Sequence, residues 1–186
     1  MKTLLLRPFT DASTGNSPPL SLMYISAYLK TQGQAVKIID NCIERGNFAN
    51  MSLENENVND LLQKIGDEKP DIIGMTLFSR ELNEIAALCG LIKHKFPSAQ
   101  LVLGGPHPTA MPEETLQQNP ACDIIVRGEG EMILHELATR LDDASPLDDI
   151  QGISFRRNNG AGIIQHNADA EYIQDLDSLP FPDRED

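Results

Sequence analysis

Residues 71–105 read DIIGMTLFSRELNEIAALCGLIKHKFPSAQLVLGG and contain the repeating unit of the chain. Two short apolar runs, 71–76 and 100–104, enclose a segment whose apolar residues recur at the i, i+3, i+4 and i+7 spacing of an amphipathic helix. Short runs rich in Ile, Val and Leu are typical of buried strands. The segment therefore predicts a strand, a helix and a second strand parallel to the first.

The same unit recurs on both sides of this segment. Apolar runs alternate with amphipathic segments over the first 145 residues, at 3–6, 36–40, 71–76, 100–104 and 123–127. This alternation is typical of an α/β protein in which helices cover both faces of a parallel sheet. We expect a doubly wound, five-stranded parallel sheet with strand order 2-1-3-4-5, and a further short helix at 113–118.

The pattern changes after Pro146. Residues 150–157 and 163–166 flank an Asn- and Gly-rich turn, which predicts a β-hairpin because both residue types accept positive φ. Residues 172–186 are rich in Pro and charge, which is typical of an extended linker. We therefore divide the chain into an α/β domain (1–145), a hairpin appendage (146–170) and a linker (171–186).

Composition excludes several classes of partner. The 186 residues carry a formal net charge of −13, and sequence-independent binding to nucleic acid or to an anionic membrane needs a basic surface. The apolar runs are far shorter than the roughly 20 residues that span a bilayer. Three cysteines, separated by 47 and 33 residues, match no metal-ligand spacing and indicate a reduced, cytoplasmic protein.

Four loops follow the predicted strands, at the edge where ligands bind in doubly wound sheets. They are 7–20, 74–79, 104–109 and 127–131. The first is much longer than the 2–6 residues usual for such a connection. Gly104 and Gly105 allow close approach of a ligand to the backbone, although paired glycines also serve tight turns alone. Glu131 at a helix start stabilises the helix dipole whatever its function.

Common nucleotide motifs are missing from these loops. The 127–131 segment lacks the Gly-Lys-Ser/Thr ending of a P-loop, and no Gly-x-Gly-x-x-Gly follows the first strand. Cys42, Cys89 and Cys122 lie at a strand end, on an apolar helix face and before a strand, which favours small core residues over nucleophiles. Nucleotide hydrolysis and dinucleotide binding therefore have no support in the sequence.

Taken in order, the loops and strands form a recognisable series: Pro18-Pro19-Leu20, Val36-Lys37-Ile38-Ile39-Asp40, Pro70-Asp71-Ile72-Ile73-Gly74, Gly104-Gly105-Pro106-His107-Pro108-Thr109, Arg127-Gly128-Glu129-Gly130-Glu131 and Leu179-Pro180-Phe181-Pro182. The series resembles the N-terminal cobalamin (B12)-binding domain of B12-dependent radical S-adenosylmethionine (SAM) enzymes. The resemblance implies a flavodoxin-like (Rossmann-like) fold and a following radical SAM barrel in the same polypeptide, with a [4Fe-4S] cluster, SAM and a small-molecule substrate. Many members of the family are methyltransferases, and this fragment alone is not expected to catalyse a reaction.

The sequence departs from the pattern of other cobalamin domains at the position of the cobalt ligand. Other cobalamin domains carry Asp-x-His-x-x-Gly after the first strand, and that histidine binds cobalt in place of the cofactor's own base. Here Asp11 is followed by Ser13 where the histidine would stand, and Gly15 comes one position early. The resemblance therefore implies base-off cobalamin with no protein histidine ligand. The alternative to a cobalamin-binding domain is a degenerate interaction domain that binds no cobalamin. A third hypothesis is a free-standing flavin-binding protein, but no phosphate cradle of Ser and Thr residues directly follows the first strand.

The resemblance also implies roles for individual residues. Thr76, Leu77 and Phe78 are expected to line the slot for the nucleotide tail of the cofactor, with Gly104 and Gly105 allowing the backbone to reach it. The corrin ring is expected near Arg7, Ser17, Phe78 and His107. Its amide side chains are expected to bond to Arg127, Gly128 and Glu129. No catalytic residue and no protein metal ligand is expected.

Overall fold

The computed structural model describes residues 1–8, 17–41, 52–157 and 162–184, and these form one sheet with helices on both faces. The sheet order is β2-β1-β3-β4-β5-β6-β7. Its strands are β1 (Lys2–Arg7), β2 (Ala35–Asp40), β3 (Ile72–Thr76), β4 (Gln100–Gly104), β5 (Ile124–Val126), β6 (Ile153–Arg156) and β7 (Ile164–His166). The first five are parallel in the predicted order, which confirms the doubly wound α/β fold.

In the described residues the sheet has seven strands, because the predicted C-terminal hairpin joins the five parallel strands. Strand β6 pairs antiparallel with β5, through Ile124 with Phe155 and Val126 with Ile153, and β7 continues the same sheet. Residues 153 to 155 are buried, so the pairing both satisfies the outer backbone groups of β5 and covers apolar surface. The residues of the turn predicted between these two strands, 158–161, lie outside the described part of the chain.

In the described part of the chain, six α-helices connect and cover the strands. They are α1 (Leu20–Thr31), α2 (Glu56–Glu68), α3 (Leu82–Lys95), α4 (Pro106–Ala110), α5 (Pro112–Gln118) and α6 (Gly130–Asp142), with short 3-10 turns at Ser79–Glu81 and Leu176–Ser178. The sequence did not predict α4, which begins directly after Gly105. Within the described ranges, every helix is too short or too polar to cross a membrane.

The sheet separates two apolar layers because successive side chains of a strand point to opposite faces. Helices α2 and α3 pack on one face, where Ile73, Met75 and Leu77 join their core. Helices α1 and α6 pack on the other face with Ile72 and Val102. A loop that follows a strand at its carboxyl end can therefore lie beside either of two separate apolar layers.

Candidate ligand-binding site

A cavity of about 330 Å³ lies at the carboxyl ends of the parallel strands, on the side covered by α1 and α6. Its apolar walls come from both helices and from three strands: Leu5, Leu22, Ile25, Val102, Val126 and Leu134. The few polar side chains are those of Ser21, Thr76, Glu129 and Glu131. A largely apolar pocket of this size with few polar groups is typical of a small-molecule or cofactor site.

Glycines keep the sheet surface of the cavity clear. Gly74 and Gly104 line the cavity, and both belong to the strand positions that face α1 and α6. A Cβ at Gly104 would lie 3.6 Å from the carbonyl oxygen of Val126, which is ordinary contact, so larger side chains there would extend into the cavity. The two glycines therefore leave a slot along the sheet that a flat group can enter.

Gly105 is required by the turn that follows β4. Its φ of +101° is one that side-chain-bearing residues rarely adopt, and a Cβ would lie 2.8 Å from Cγ2 of Thr76. The loop after β3 is bonded to this turn, since the Leu77 amide donates to the Gly104 carbonyl at 2.8 Å. The close approach of these two loops explains why glycine stands at position 105.

A single hydroxyl links two of the glycine loops. Thr109 Oγ1 donates to the carbonyl oxygen of Gly105 at 2.8 Å and accepts the amide of Gly128 at 3.1 Å. Gly128 itself has a φ of +79° and lines the cavity. Thr109 thus fixes the distance between the loop after β4 and the loop after β5.

Two carboxylates stand at the start of α6. Glu129 Oε2 accepts the backbone amide of Ile173 at 2.6 Å, so this site residue also holds the C-terminal segment. Glu131 lies in the first turn of α6, and desolvation raises the pKa of its carboxyl, with a smaller contribution from the charge of Glu129. Glu131 therefore takes up a proton more readily than an ordinary surface glutamate.

Arg127 faces the C-terminal segment and is not among the residues that line the cavity. Its guanidinium donates to the carbonyl oxygens of Asn167 and Ala168 and pairs with Asp169 at 3.3 Å. The backbone carries the same connection, because the Arg127 amide donates to Gly152 and the Gly152 amide to Ala168, each at 2.7 Å. Arg127 therefore holds the 127–131 loop in place through bonds to the C-terminal segment, outside the cavity.

The predicted site residues divide into two groups. Those that line the cavity are Thr76, Phe78, Gly104, Gly105, Gly128 and Glu129. Leu77 is fully buried in the core of the opposite face, so its side chain is not available to the cavity. The reason is the alternation along β3, which places residues 73 and 75 on one face and 74 and 76 on the other, and Leu77, directly after the strand, joins the core of residues 73 and 75.

Arg7, Ser17 and His107 are not among the cavity-lining residues. Arg7 donates from Nε to Asp40 at 2.7 Å and from Nη1 to the carbonyl of Ser17 at 2.8 Å, joining the ends of β1 and β2 to the start of α1. His107 Nδ1 lies 2.9 Å from Ser79 Oγ. Ser13 and its neighbours lie outside the described residues, as does Cys42.

The contribution of α1 and α6 to the cavity was not predicted from the sequence. Ser21, Leu22 and Ile25 form one wall, and Leu134 contributes from α6. Their apolar spacing predicted the helices, but an apolar position that packs and one that borders a cavity look the same in sequence. The Pro18-Pro19 pair before α1 was the available signal, because it fixes where the helix begins beside the strand ends.

Comparison with known proteins identifies the family. The model of the B12-binding domain matches residues 7–138, and the chain therefore belongs to this family. The matched range contains β2 to β5, the last residue of β1, and every residue that lines the cavity apart from Leu5. The chain also resembles the cobalamin module of radical SAM methyltransferases, as the sequence predicted.

Three relatives illustrate the resemblance. An uncharacterized methyltransferase of Pyrococcus horikoshii is 30% identical over 98% of this chain, and the match covers 38% of the relative. An anaerobic magnesium-protoporphyrin IX monomethyl ester cyclase of Rubrivivax gelatinosus is 30% identical over 96% of the chain and is covered to 32%. The cobalamin-dependent radical SAM methyltransferase TokK of Streptomyces tokunonensis is 31% identical over 53% of the chain, with 14% of that protein covered. The first two relatives are thus about three times as long as the matched region.

Solved structures share the fold. The cobalamin-dependent SAM radical enzyme OxsB, with aqua-cobalamin and SAM bound, superposes with a TM-score of 0.75 at 24% identity over 97% of this chain and 23% of its own. The radical SAM methyltransferase TsrM of Kitasatospora setae, with cobalamin and a [4Fe-4S] cluster bound, gives a TM-score of 0.72 at 20% identity over 98% of this chain and 31% of its own. Both likenesses extend through the C-terminal hairpin.

Proposed function

We propose that this chain is the cobalamin-binding module of a radical SAM enzyme, most simply a methyltransferase. The observation that carries the proposal is the glycine-floored, apolar cavity at the strand ends of a B12-binding domain. Methyltransferases among the relatives support the reaction class, while the cyclases show that the family also serves other chemistry. The reading of an empty interaction domain is not favoured, because residues that would fill the slot are absent at positions 74 and 104.

The cavity suits the nucleotide tail of the cofactor. Gly74 and Gly104 would lie under a flat aromatic base, and Leu22 and Ile25 of α1 would cover it from the other side. Ser21 and Thr76 offer hydroxyls to its polar groups. The corrin would then lie over the strand ends, near Phe78, which is 44% exposed at the cavity, and towards Arg7, Ser17 and His107.

Bound cobalamin would supply a cobalt centre for group transfer, and the protein would supply its position and surroundings. A tail held in the slot places the cofactor's own base away from cobalt. Ser13 offers only a hydroxyl, a poorer cobalt ligand than imidazole, so we propose base-off cobalamin without a protein histidine ligand. Residues 127–129 stay candidates for bonds to the corrin side chains, and the Glu129 carboxylate is the group we favour, because the backbone amides of Arg127 and Gly128 already donate to Gly152 and Thr109.

The rest of the enzyme belongs to the proposal as well. Because the chain spans little more than a third of its first relative, we propose that a radical SAM barrel in the same polypeptide carries the [4Fe-4S] cluster, SAM and the substrate site. The described cysteines do not serve a cluster in this arrangement. Cys89 and Cys122 are buried, and burial raises the pKa of Cys89 to about 12 and that of Cys122 well above its ordinary value.

The test is retention of hydroxocobalamin through gel filtration, followed by corrin absorbance. Wild type is expected to keep the cofactor, and Gly104→Leu to lose it, because the added side chain would occupy the slot. Gly104→Ala is the matched control, since its Cβ makes only ordinary contact with Val126. Cobinamide, which lacks the nucleotide tail, should be retained more weakly than cobalamin. Colourless wild-type protein would support the empty-domain reading, and equal retention of cobinamide would contradict the placement of the tail.

A further inference from the structure

The C-terminal segment predicted as a linker is bonded to the domain at both of its ends. We define residues 173–183 as the strap. At its start, the Ile173 amide donates to Glu129 Oε2 at 2.6 Å. Just before it, the carbonyls of Asn167 and Ala168 are held by Arg127. The strap therefore leaves the domain surface from a point fixed on the loop between β5 and α6.

The far end of the strap is fixed on α1 by Asp183. Its carboxylate accepts a hydrogen bond from Ser26 Oγ at 2.7 Å and forms an ion pair with Lys30, and only 6% of the side chain is exposed. Its backbone amide donates to the carbonyl oxygen of Met23 at 3.0 Å. A carboxylate this buried must be well paired, which makes Asp183 a specific attachment point.

The two attachment points lie on the two elements that wall the cavity. Helix α1 contributes Ser21, Leu22 and Ile25 to the cavity wall. Asp183 binds the same helix at Met23, Ser26 and Lys30, which lie among these residues and in the turns that follow. Glu129 precedes α6 and lines the cavity itself. The strap thus runs from one wall of the cavity to the other.

Among the described residues, apolar side chains of α1 and α6 also pack together at the cavity end. A Cβ at Gly130 would lie 3.0 Å from Cδ1 of Ile25, which shows how closely the two elements approach there. At the opposite end, Gln34 donates from Nε2 to the His135 carbonyl and to Thr139 Oγ1, each at 3.2 Å. The strap adds directional hydrogen bonds to this packing, because it joins α1 at Asp183 to the start of α6 at Glu129.

We propose that the strap controls how far the walls of the cavity separate, and that Asp183 is a positioning residue for ligand entry and exit. This inference rests on the proposed function only for the identity of the ligand. On this proposal a large ligand enters and leaves the slot as the walls part, so release of Asp183 should speed both entry and exit. A residue that merely stabilised the fold would lower the melting temperature without accelerating both steps.

The test compares Asp183→Ala with Asp183→Asn in the full chain. Alanine removes the acceptor for Ser26 and Lys30, whereas asparagine keeps an oxygen for Ser26 and should restore much of the wild-type behaviour. Glu171→Gln, an exposed change outside the strap, is the control. Stopped-flow mixing with hydroxocobalamin and displacement of bound cofactor measure the two rates. We expect both to rise about tenfold in Asp183→Ala, a change of about 1.4 kcal/mol in each barrier.

Hydrogen exchange provides a second measurement that needs no ligand. Peptides covering 174–184 and the first turns of α1 should exchange faster in Asp183→Ala than in Glu171→Gln. Unchanged binding and dissociation rates in Asp183→Ala would overturn the proposal even if the strap itself exchanged faster. If wild type bound no cobalamin, the proposed function would fail, and hydrogen exchange of α1 would then test the strap alone. Faster exchange of α1 in Asp183→Ala would support the attachment of the strap to this helix. Unchanged exchange of α1 would overturn the proposal.

Discussion

Thr109 and Gly128 are joined by a hydrogen bond that crosses from the loop after β4 to the loop after β5, with 3.1 Å between the Gly128 amide nitrogen and Thr109 Oγ1. The same hydroxyl donates to Gly105. One side chain therefore sets the relative position of two loops that border the cavity. This arrangement makes the hydroxyl, and not the size of the side chain, the property that matters at position 109.

Replacement of Thr109 by Val should weaken cobalamin retention. The change keeps the shape but removes a donor and an acceptor, at a cost of about 0.5–1.5 kcal/mol of stability, since the exposed Gly128 amide exchanges its partner for water. Affinity is measured by titration with hydroxocobalamin, and stability by urea unfolding. Thr109→Ser retains the hydroxyl and is expected to behave like wild type. Equal affinity in the Val and Ser variants would show that the loops hold their spacing without this bond.

Replacement of Gly105 by Ala should destabilise the protein by about 1–3 kcal/mol, because its backbone conformation is open almost only to glycine. The added Cβ also meets Thr76, so cofactor retention should fall in the folded variant. Gly90→Ala in α3 is the matched control: a Cβ there meets nothing within 4 Å, and the helix should gain up to about 1 kcal/mol. A Gly105→Ala protein as stable as wild type would contradict the strain argued here.

Bound cob(II)alamin should show no nitrogen superhyperfine splitting in its electron paramagnetic resonance spectrum. His107 is the histidine placed in a predicted binding loop, but it does not line the cavity, and its Nε2 is buried while its Nδ1 lies beside Ser79 Oγ. Wild type and His107→Ala should therefore give the same spectrum. Triplet splitting that vanishes in His107→Ala would make His107 a cobalt ligand, and splitting in both proteins would mean that the cofactor's own base stays bound.

Glu131 should make stability depend on pH. Its pKa is raised in the folded protein, chiefly by desolvation, so folding disfavours the charged form. Wild type should therefore lose stability as the pH rises through the ordinary Glu range and the raised pKa. Glutamine does not ionise, so Glu131→Gln does not lose stability in this way. The melting temperature of Glu131→Gln minus that of wild type should therefore increase from about pH 4 to about pH 7. Glu171→Gln should show no comparable trend, and a constant difference for Glu131→Gln would contradict the prediction.

Much of the fold follows from local sequence pattern. The five parallel strands and the four long helices were predicted from apolar spacing, and their ends agree to within a few residues. The pairing of β6 with β5 was not predicted, because nothing in residues 150–157 states which existing strand edge they will join. Turn chemistry identifies a hairpin, whereas its partner is decided by the whole fold.

The candidate site was less accessible to sequence than the fold. Glycines at strand ends pointed to the loops that do border the cavity. The family resemblance placed Leu77 there together with Thr76 and Phe78, but the Leu77 side chain is buried in the core of the opposite face. Asp183 gave no signal, since an acidic residue after Pro182 looks like any other charge in a polar tail. Its role depends on Ser26 and Lys30, more than 150 residues earlier in the chain.

The antiparallel addition of β6 and β7 has a practical consequence for dissecting this protein. Strand β5 has only three residues, Ile124–Val126, and all three are buried. A fragment that stopped at residue 145 would leave them as a bare apolar edge strand, open to pairing with another molecule. Such a fragment should aggregate, and it would also lack the Gly152 carbonyl that accepts the Arg127 amide. The smallest soluble unit of this domain therefore extends past the hairpin.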